Sequence, residues 1–127
     1  MAIKEEMTDR FLMFATKIIE LGKILNKTYE GRHIYGQLFR SATSSGANYE
    51  ESHSAESTRD FLHKRQIVQK EQRESLFWLR LINFSKLISP TDETLIFLLQ
   101  ENIELLKIIS KSITTTKNNE LNKSIKK

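Results

Sequence analysis

The most constraining feature of the sequence is the spacing of its apolar residues, which recur every three or four positions along four separate stretches. In the first stretch the series is Phe11, Phe14, Ile18, Leu21 and Leu25. This spacing places side chains on one side of an α-helix, whereas a half-buried strand requires alternation at every second position. Helices with a single apolar face bury it against one another. The sequence therefore predicts an all-α protein, an antiparallel up-down-up-down four-helix bundle.

Capping and breaking residues set the predicted helix boundaries. We predict helices at about residues 8–26, 32–55, 57–87 and 91–114. Ser57 followed by Asp60 resembles a capping box at the start of the third helix. Pro90 stops that helix and suits the first turn of the fourth. Gly46 lies inside the second pattern, but small polar residues continue on one face on both sides of it, so we predict one uninterrupted helix there.

Composition favours a single domain that is stabilised by packing. We expect a bundle domain over residues 1–116 and a disordered basic tail over residues 117–127, which are rich in Lys and Asn. The chain has no Cys, which excludes disulfides and thiolate sites. The longest apolar run covers only residues 95–99, and no signal-peptide pattern precedes the first helix. We therefore expect a cytoplasmic protein that does not engage a membrane.

The net charge of +4 is concentrated in one part of the chain. Residues 57–86 carry seven basic and three acidic side chains. On the predicted third helix, one face opposite the apolar stripe carries Arg59, His63, Lys70, Arg73 and Arg80. We predict that four of these, Arg59, Lys70, Arg73 and Arg80, bind the phosphates of RNA or DNA. The alternative is a solvated face with pairs along the helix, such as Lys70 with Glu74.

Two helices show more contact surface than a simple bundle needs. Phe77 and Phe84 lie seven residues apart on one side of the third helix, away from its core series. The second helix carries a strip of small polar residues, namely Ser41, Ser45, Asn48 and Ser52. Such surfaces favour self-association. The alternative is that the drift of a long helix brings the two phenylalanines back toward the core.

Catalytic and metal-binding patterns are weak. Glu50 and His53 form one Glu-x-x-His motif, but the second motif and the additional glutamates of a di-iron bundle are missing. The histidines His33, His53 and His63 have no nucleophile nearby in sequence to activate. No glycine-rich phosphate loop is present. We therefore expect no catalytic site, no metal and no cofactor.

A run of short motifs is similar to one known family. The motifs are Gln37 to Ser44, Gly46 to Glu51, Ser57, Asp60, Phe61, Lys64, Ile67, Lys70, Glu71, Trp78 and Leu79. Residues 37–81 thus resemble the small proteins encoded in intervening sequences of bacterial 23S rRNA genes. The resemblance implies an antiparallel four-helix bundle that assembles into a ring-like homopentamer, without established enzymatic activity. Ser45 departs from the pattern, since the family usually has Ile or Val there.

The resemblance, together with helical spacing, also suggests a polar network or interface between the second and third helices. Its expected members are Ser41, Asn48, Tyr49, Asp60, Lys70, Glu71 and Phe77. If buried, such polar groups must be hydrogen-bonded to one another. Two functions stay open: a homo-oligomer associated with nucleic acid through its third helix, and a structural or adaptor protein that acts by binding another protein.

Overall fold

The computed structural model describes the backbone of residues 2–126 and the side chains of residues 6–125. The described chain forms four helices: α1 (Ala2–Leu25), α2 (Tyr29–Ser52), α3 (Thr58–Ser85) and α4 (Glu93–Lys126). Between residues 2 and 126 there is no strand. The predicted all-α class and the helix number are confirmed. No helix in this range is long and apolar enough to cross a membrane.

The helices pack in a square, with neighbours in sequence also neighbours in space. α1 lies next to α2 and α4, and α3 lies next to the same two helices, whereas the backbones of the diagonal pairs do not approach one another closely. Residues near the start of α1 meet the end of α2, as Thr8 donates to Glu50, and the Tyr35 ring of early α2 lies over Gly22 of late α1. The chain therefore runs up, down, up and down, as the apolar spacing predicted.

Side-chain caps explain where α2 and α3 begin. The hydroxyl of Thr28 accepts a hydrogen bond from the Gly31 amide at 3.0 Å, so α2 starts three residues before its predicted position. The hydroxyl of Ser57 accepts from the Asp60 amide at 3.0 Å, while the Asp60 carboxylate accepts from the Glu56 amide at 3.3 Å. The capping residues were predicted correctly, although the carboxylate reaches one residue farther back than in a standard capping box.

The end of α4 differs from the prediction. Asp92 caps this helix by accepting from the Leu95 amide at 2.9 Å, and the helix then continues to Lys126. Residues 117–126, predicted as a disordered tail, are thus helical, and Lys127 lies outside the described residues. The stretch contains no Gly or Pro, and extending an existing helix avoids the cost of nucleating a new one. The threonines at 114–116 lower helix propensity but do not break the helix.

The core runs the length of the bundle between the four apolar faces. The predicted α1 series, Phe11 to Leu25, is buried throughout. On α2 the facing positions are small, with Ser41, Ala42 and Ser45 all at most 1% exposed. Gly46 lies within α2 without interrupting it, and a Cβ there would sit 3.4 Å from that of Phe11. Small residues let the neighbouring helices approach α2 closely, and they fix the position of α3 against it.

A basic and aromatic face on helix α3

The four predicted nucleic-acid-binding residues lie on the outer side of α3. Arg59, Lys70, Arg73 and Arg80 are all exposed. Their helical spacing places them on the side opposite the buried Val68, Ser75 and Ile82. Within the described part of the chain, none of the four cations forms an ion pair. Their positive charge is therefore directed at solvent.

The carboxylates of α3 are engaged elsewhere, which is why the cations stay unpaired. Arg40 of α2 donates to Glu71 at 3.1 Å and also to Glu74, which accepts a further bond from the Trp78 indole at 3.1 Å. The bond from Arg40 lowers the pKa of Glu74 below its usual value. The predicted alternative, a pair of Lys70 with Glu74, does not form.

The remaining carboxylate of α3, that of Asp60, pairs with Lys64 at 3.0 Å. This hydrogen bond lowers the pKa of Asp60. All three acidic side chains of α3 thus have cationic partners outside the set Arg59, Lys70, Arg73 and Arg80. The four cations of the basic face therefore have no ion-pair partner on their own helix.

Two aromatic rings lie among these cations. Phe77 is 58% exposed and Phe84 is 76% exposed, so both lie off the core, as their spacing predicted. The Arg80 guanidinium sits 5.9 Å from the centre of the Phe84 ring. Phe77 packs edge-on against Trp78, with ring centres 5.1 Å apart. The outer side of α3 is therefore both basic and aromatic.

A hollow opens next to this face, where the start of α2 meets the end of α3. It has a volume of about 460 Å³. Its walls are Tyr29, Glu30, His33, Ile34, Trp78, Leu81, Ser85 and Leu87. Leu81 also borders a smaller recess of about 250 Å³ formed with Phe77, Arg80 and Phe84. The hollow and the exposed rings thus form one continuous surface. The sequence did not predict the hollow, because the register of α2 against α3 brings its walls together.

The predicted polar network between α2 and α3 is only partly assembled. Ser41 bonds to the Ser75 hydroxyl at 2.7 Å, and the buried Glu71 is held by Arg40. Asn48 instead donates to the Ser44 carbonyl of its own helix at 2.9 Å. The other predicted members do not join this contact: Asp60 caps α3, and Lys70 and Phe77 are exposed.

Two buried side chains of α3, Gln72 and Arg65, form interhelical hydrogen bonds that the sequence did not predict. Gln72 is fully buried and accepts a hydrogen bond from the Ser45 hydroxyl at 2.7 Å. Ser45 stands where the family pattern usually has Ile or Val, and this bond satisfies its buried hydroxyl. Arg65 donates to the hydroxyls of Ser52 and Ser112 at 2.9 and 2.8 Å. Both lie on the apolar spacing of α3, but their polar type argued against a core position. Helical spacing alone would have identified them.

Tyr49, another predicted network member, is buried beneath Arg65. The guanidinium lies 4.8 Å from the Tyr49 ring and 4.4 Å from the Phe61 ring. Burial raises the pKa of Tyr49 and lowers that of Arg65. On its other side Tyr49 stacks on Phe11 at 4.9 Å. Tyr49 therefore joins α1 to the buried arginine and is a packing residue.

The Glu-x-x-His motif is not assembled into a metal centre in the described residues. Glu50 accepts from Thr8 of α1, and His53 packs edge-on against Tyr49 with ring centres 4.7 Å apart. Among the side chains described, no group of three or more His, Cys, Asp or Glu is placed to hold a metal ion. The absence of a metal stays a prediction, since ion content is a separate measurement.

Comparison with protein families gives a match to the model described as 23S rRNA-intervening sequence protein, over residues 4–111. The chain belongs to this family. The resemblance predicted from residues 37–81 is thereby confirmed and extended across most of the bundle. The match ends within α4, so the last turns of that helix lie beyond the family region.

A solved structure supports the assignment of the fold. It is a protein of unknown function from the S23 ribosomal protein family of Bacteroides thetaiotaomicron, with 31% sequence identity and a TM-score of 0.77. The likeness covers 87% of this chain and 97% of the other. Comparison with curated proteins gave no match. Family and fold are thus established.

Proposed function

We propose that this protein is a non-enzymatic homo-oligomer that binds RNA through the basic face of α3. One observation carries the proposal: Arg59, Lys70, Arg73 and Arg80 are exposed and form no ion pair among the described residues, while the carboxylates of the same helix pair with Arg40 and Lys64. A face that served only solubility would gain from pairs along the helix. Unpaired cations on one face suit a polyanion.

Assembly multiplies this weak local charge. Each phosphate contact releases bound counterions, and the affinity for a nucleic acid rises steeply with the number of contacts. Copies of the chain related by symmetry repeat the four cations around a common surface, so that one RNA meets several faces at once. Binding that is weak for one copy becomes strong for the assembly.

The contact between copies is proposed to involve the side of the bundle formed by α1 and α2. Leu12 and Ile19 are 61% and 48% exposed and lie seven residues apart on α1. Leu12 borders a groove lined by Ala15, Ala42, Thr43, Gly46 and Ala47. Small residues beside exposed apolar ones let another helix approach closely. This side lies away from the α3 cations and leaves them accessible in the assembly.

RNA binding is tested with two variants, each of which has four cations replaced by glutamine in a different part of the chain. The variant with Arg59, Lys70, Arg73 and Arg80 changed to Gln has a net charge of 0 instead of +4. The control changes Lys23, Lys27, Lys107 and Lys111 to Gln, which are exposed on other elements, and reaches the same net charge. Anisotropy of a labelled structured RNA at several salt concentrations measures the affinity.

The α3 variant should bind at least tenfold more weakly at low salt, while the control stays within about threefold of the parent protein. The slope of log affinity against log salt should also shrink by about 3 per chain, since each lost contact removes about 0.7 to 0.9. Equal effects of the two variants would show that net charge alone acts, and the proposed face would then be wrong.

The second candidate function, a protein-binding adaptor, is favoured by the same apolar groove of α1 and α2. An adaptor function predicts that the protein does not bind RNA at low salt and that a protein partner is recovered with it in a pull-down. Light scattering with and without RNA separates the two candidates. The chain has a mass of 14.9 kDa, so the five copies implied by the family resemblance would give about 74.5 kDa. A monomeric mass would contradict assembly, and an assembly mass unchanged by RNA would favour the adaptor.

A further inference from the structure

We infer that the RNA recognised by this face carries unpaired nucleotides, whose bases stack on Phe84 and Phe77 and enter the hollow beside Trp78. The inference rests on the proposed function and specifies the class of RNA. Cations alone would not favour a single strand over a duplex, because the duplex has the higher charge density. The exposed rings are what distinguish the two.

Cations and rings alternate along the exposed side of α3. Arg73, Phe77, Arg80 and Phe84 follow one another at spacings of four, three and four residues, and all are exposed. The two rings are seven positions apart, which corresponds to about 10 Å along the helix axis. A cationic track beside aromatic rings is the arrangement by which proteins bind single strands, because bases stack on the rings while phosphates meet the cations. A duplex hides the faces of its bases and cannot use the rings.

The hollow offers a place for a base that is turned away from the backbone. Its volume of about 460 Å³ is within the range of small-molecule sites. Tyr29 and Trp78 contribute ring surfaces, and Ser85 and Glu30 contribute polar groups suited to the edge of a base. The Glu30 carboxylate disfavours a phosphate inside the hollow, whereas Arg80 at the adjoining recess favours one outside. Base and phosphate are thus assigned to different parts of the surface.

A second copy of the chain is the other candidate for covering these rings. If two copies met through the same face, Arg73 and Arg80 of each would be brought against those of the other, and their charges would repel. No carboxylate of α3 is free to compensate, since its acidic residues pair with Arg40 and Lys64. The charge on this face therefore favours a polyanion over the same face of a second copy.

Trp78 allows a direct test, because it is the only tryptophan in the chain and lines the hollow. The full-length protein is titrated with a fluorescein-labelled single-stranded RNA and with the same strand annealed to its complement, at equal salt. Anisotropy reports binding, and Trp78 emission with unlabelled strands reports occupation of the hollow. We expect the single strand to bind at least tenfold more tightly and to quench Trp78. Charge density alone would favour the duplex, so this preference cannot arise from electrostatics.

The variant Phe84→Leu removes a ring and keeps an apolar side chain at an exposed position. Its matched control is Phe97→Leu, an exposed phenylalanine on α4. Phe84→Leu should weaken single-strand binding by roughly five- to fiftyfold, given the contribution of one stacked base. It should leave duplex binding unchanged within twofold, as Phe97→Leu should for both RNAs.

Several outcomes would overturn the inference. Equal binding of duplex and single strand, unaffected by Phe84→Leu, would refute base stacking while leaving the proposed RNA-binding function intact. A Trp78 emission change that depends on protein concentration without RNA would assign the face to a second copy. Absence of binding to either RNA at low salt would refute the proposed function together with the inference.

Discussion

Arg65 places a guanidinium inside the bundle, where only 7% of the residue is exposed. Among the described residues no carboxylate lies within ion-pairing distance of it. Its partners are the hydroxyls of Ser52 and Ser112 and the rings of Tyr49 and Phe61. Removing a cation from water is costly, and neutral partners repay only part of that cost. The value of Arg65 to the fold should therefore lie mainly in the volume that its stem fills.

Two substitutions of Arg65 separate volume from charge. Arg65→Ala should destabilise the protein by about 2–4 kcal/mol, because it leaves a cavity. Arg65→Met should change stability by less than about 1 kcal/mol, because methionine fills most of the space without a buried charge. The two serines keep their own bonds, as Ser52 donates to the Tyr49 carbonyl and Ser112 to the Ile109 carbonyl.

Urea unfolding followed by circular dichroism measures both variants of Arg65. The exposed Arg73→Ala serves as the control and should lie within about 0.5 kcal/mol of the parent protein. A methionine variant as unstable as the alanine variant would show that the hydrogen bonds and ring contacts of the guanidinium carry the stabilisation.

α4 is the element that departs most from its predicted length. Its last buried residue is Ile113, and only Thr116 and Glu120 are half-buried after it. Leu121 and Ile125 are 59% and 72% exposed. The final turns are thus helical but bury little apolar surface. They lengthen α4 without adding much to the stability of the protein.

Shortening α4 tests this distinction. A chain that ends at Thr116 should lose helical signal but less than about 1 kcal/mol of stability, because little apolar surface is removed from the core. A chain that ends at Ile108 also lacks the buried Ile109 and Ile113 and should lose more than about 4 kcal/mol, as each large buried side chain contributes about 2 or more. Thermal unfolding followed by circular dichroism distinguishes the two. A large loss from the first truncation would show that the final turns pack against something.

Helical spacing predicted the elements better than it predicted their ends or the site. The core series of α1 and the cap at Ser57 follow from local patterns, which the sequence displays directly. The start of α4 was predicted less well, because Asp92 caps the helix and Pro90 lies before this cap instead of in the first turn. The end of α4 was predicted wrongly because residues 117–126 have the Lys- and Asn-rich composition of a disordered segment, although they contain no Gly or Pro that would end the helix. The hollow of Tyr29 and Trp78 was missed because it depends on the register between helices, which small and polar core residues set. The exposed cations and rings of α3 were predictable because they lie on a single helix.

At the scale of the whole molecule, arginine pairs cross two of the four seams between helices. Arg10 binds Glu101 through two hydrogen bonds of 2.9 and 2.6 Å and joins α1 to α4. Arg40 joins α2 to α3 through Glu71 and Glu74. These seams lie on opposite sides of the square, so ion pairs join neighbouring helices on two opposite sides of the bundle. Protonation of Glu74 should weaken the ion pair that joins α2 to α3.

Acid should therefore destabilise the bundle in part through Glu74. Its pKa is lower in the folded protein than its ordinary value of 4.5, so the unfolded chain binds the proton first. The stabilisation is complete above the ordinary value and is lost as the pH falls through the lower, folded value. Because the carboxylate is 31% exposed, the effect should be under about 1 kcal/mol.

The pH dependence is measured by urea unfolding between about pH 3 and pH 7. Arg40→Gln should flatten the acid limb, because Glu74 loses the partner that lowers its pKa. Lys17→Gln removes an exposed pair with Glu20 on α1 and should leave the limb as it is. Identical acid limbs in Arg40→Gln and the parent protein would contradict the assignment of Glu74.

The even number of helices has a practical consequence for work on this surface. α1 begins and α4 ends at the same end of the bundle, whereas Tyr29 and Leu87, which border the hollow, lie at the other end. A protein tethered to a sensor chip through either terminus therefore points its aromatic hollow away from the support. Immobilisation then presents the hollow to the flowing solution, and neither a tag nor a fused reporter stands beside it.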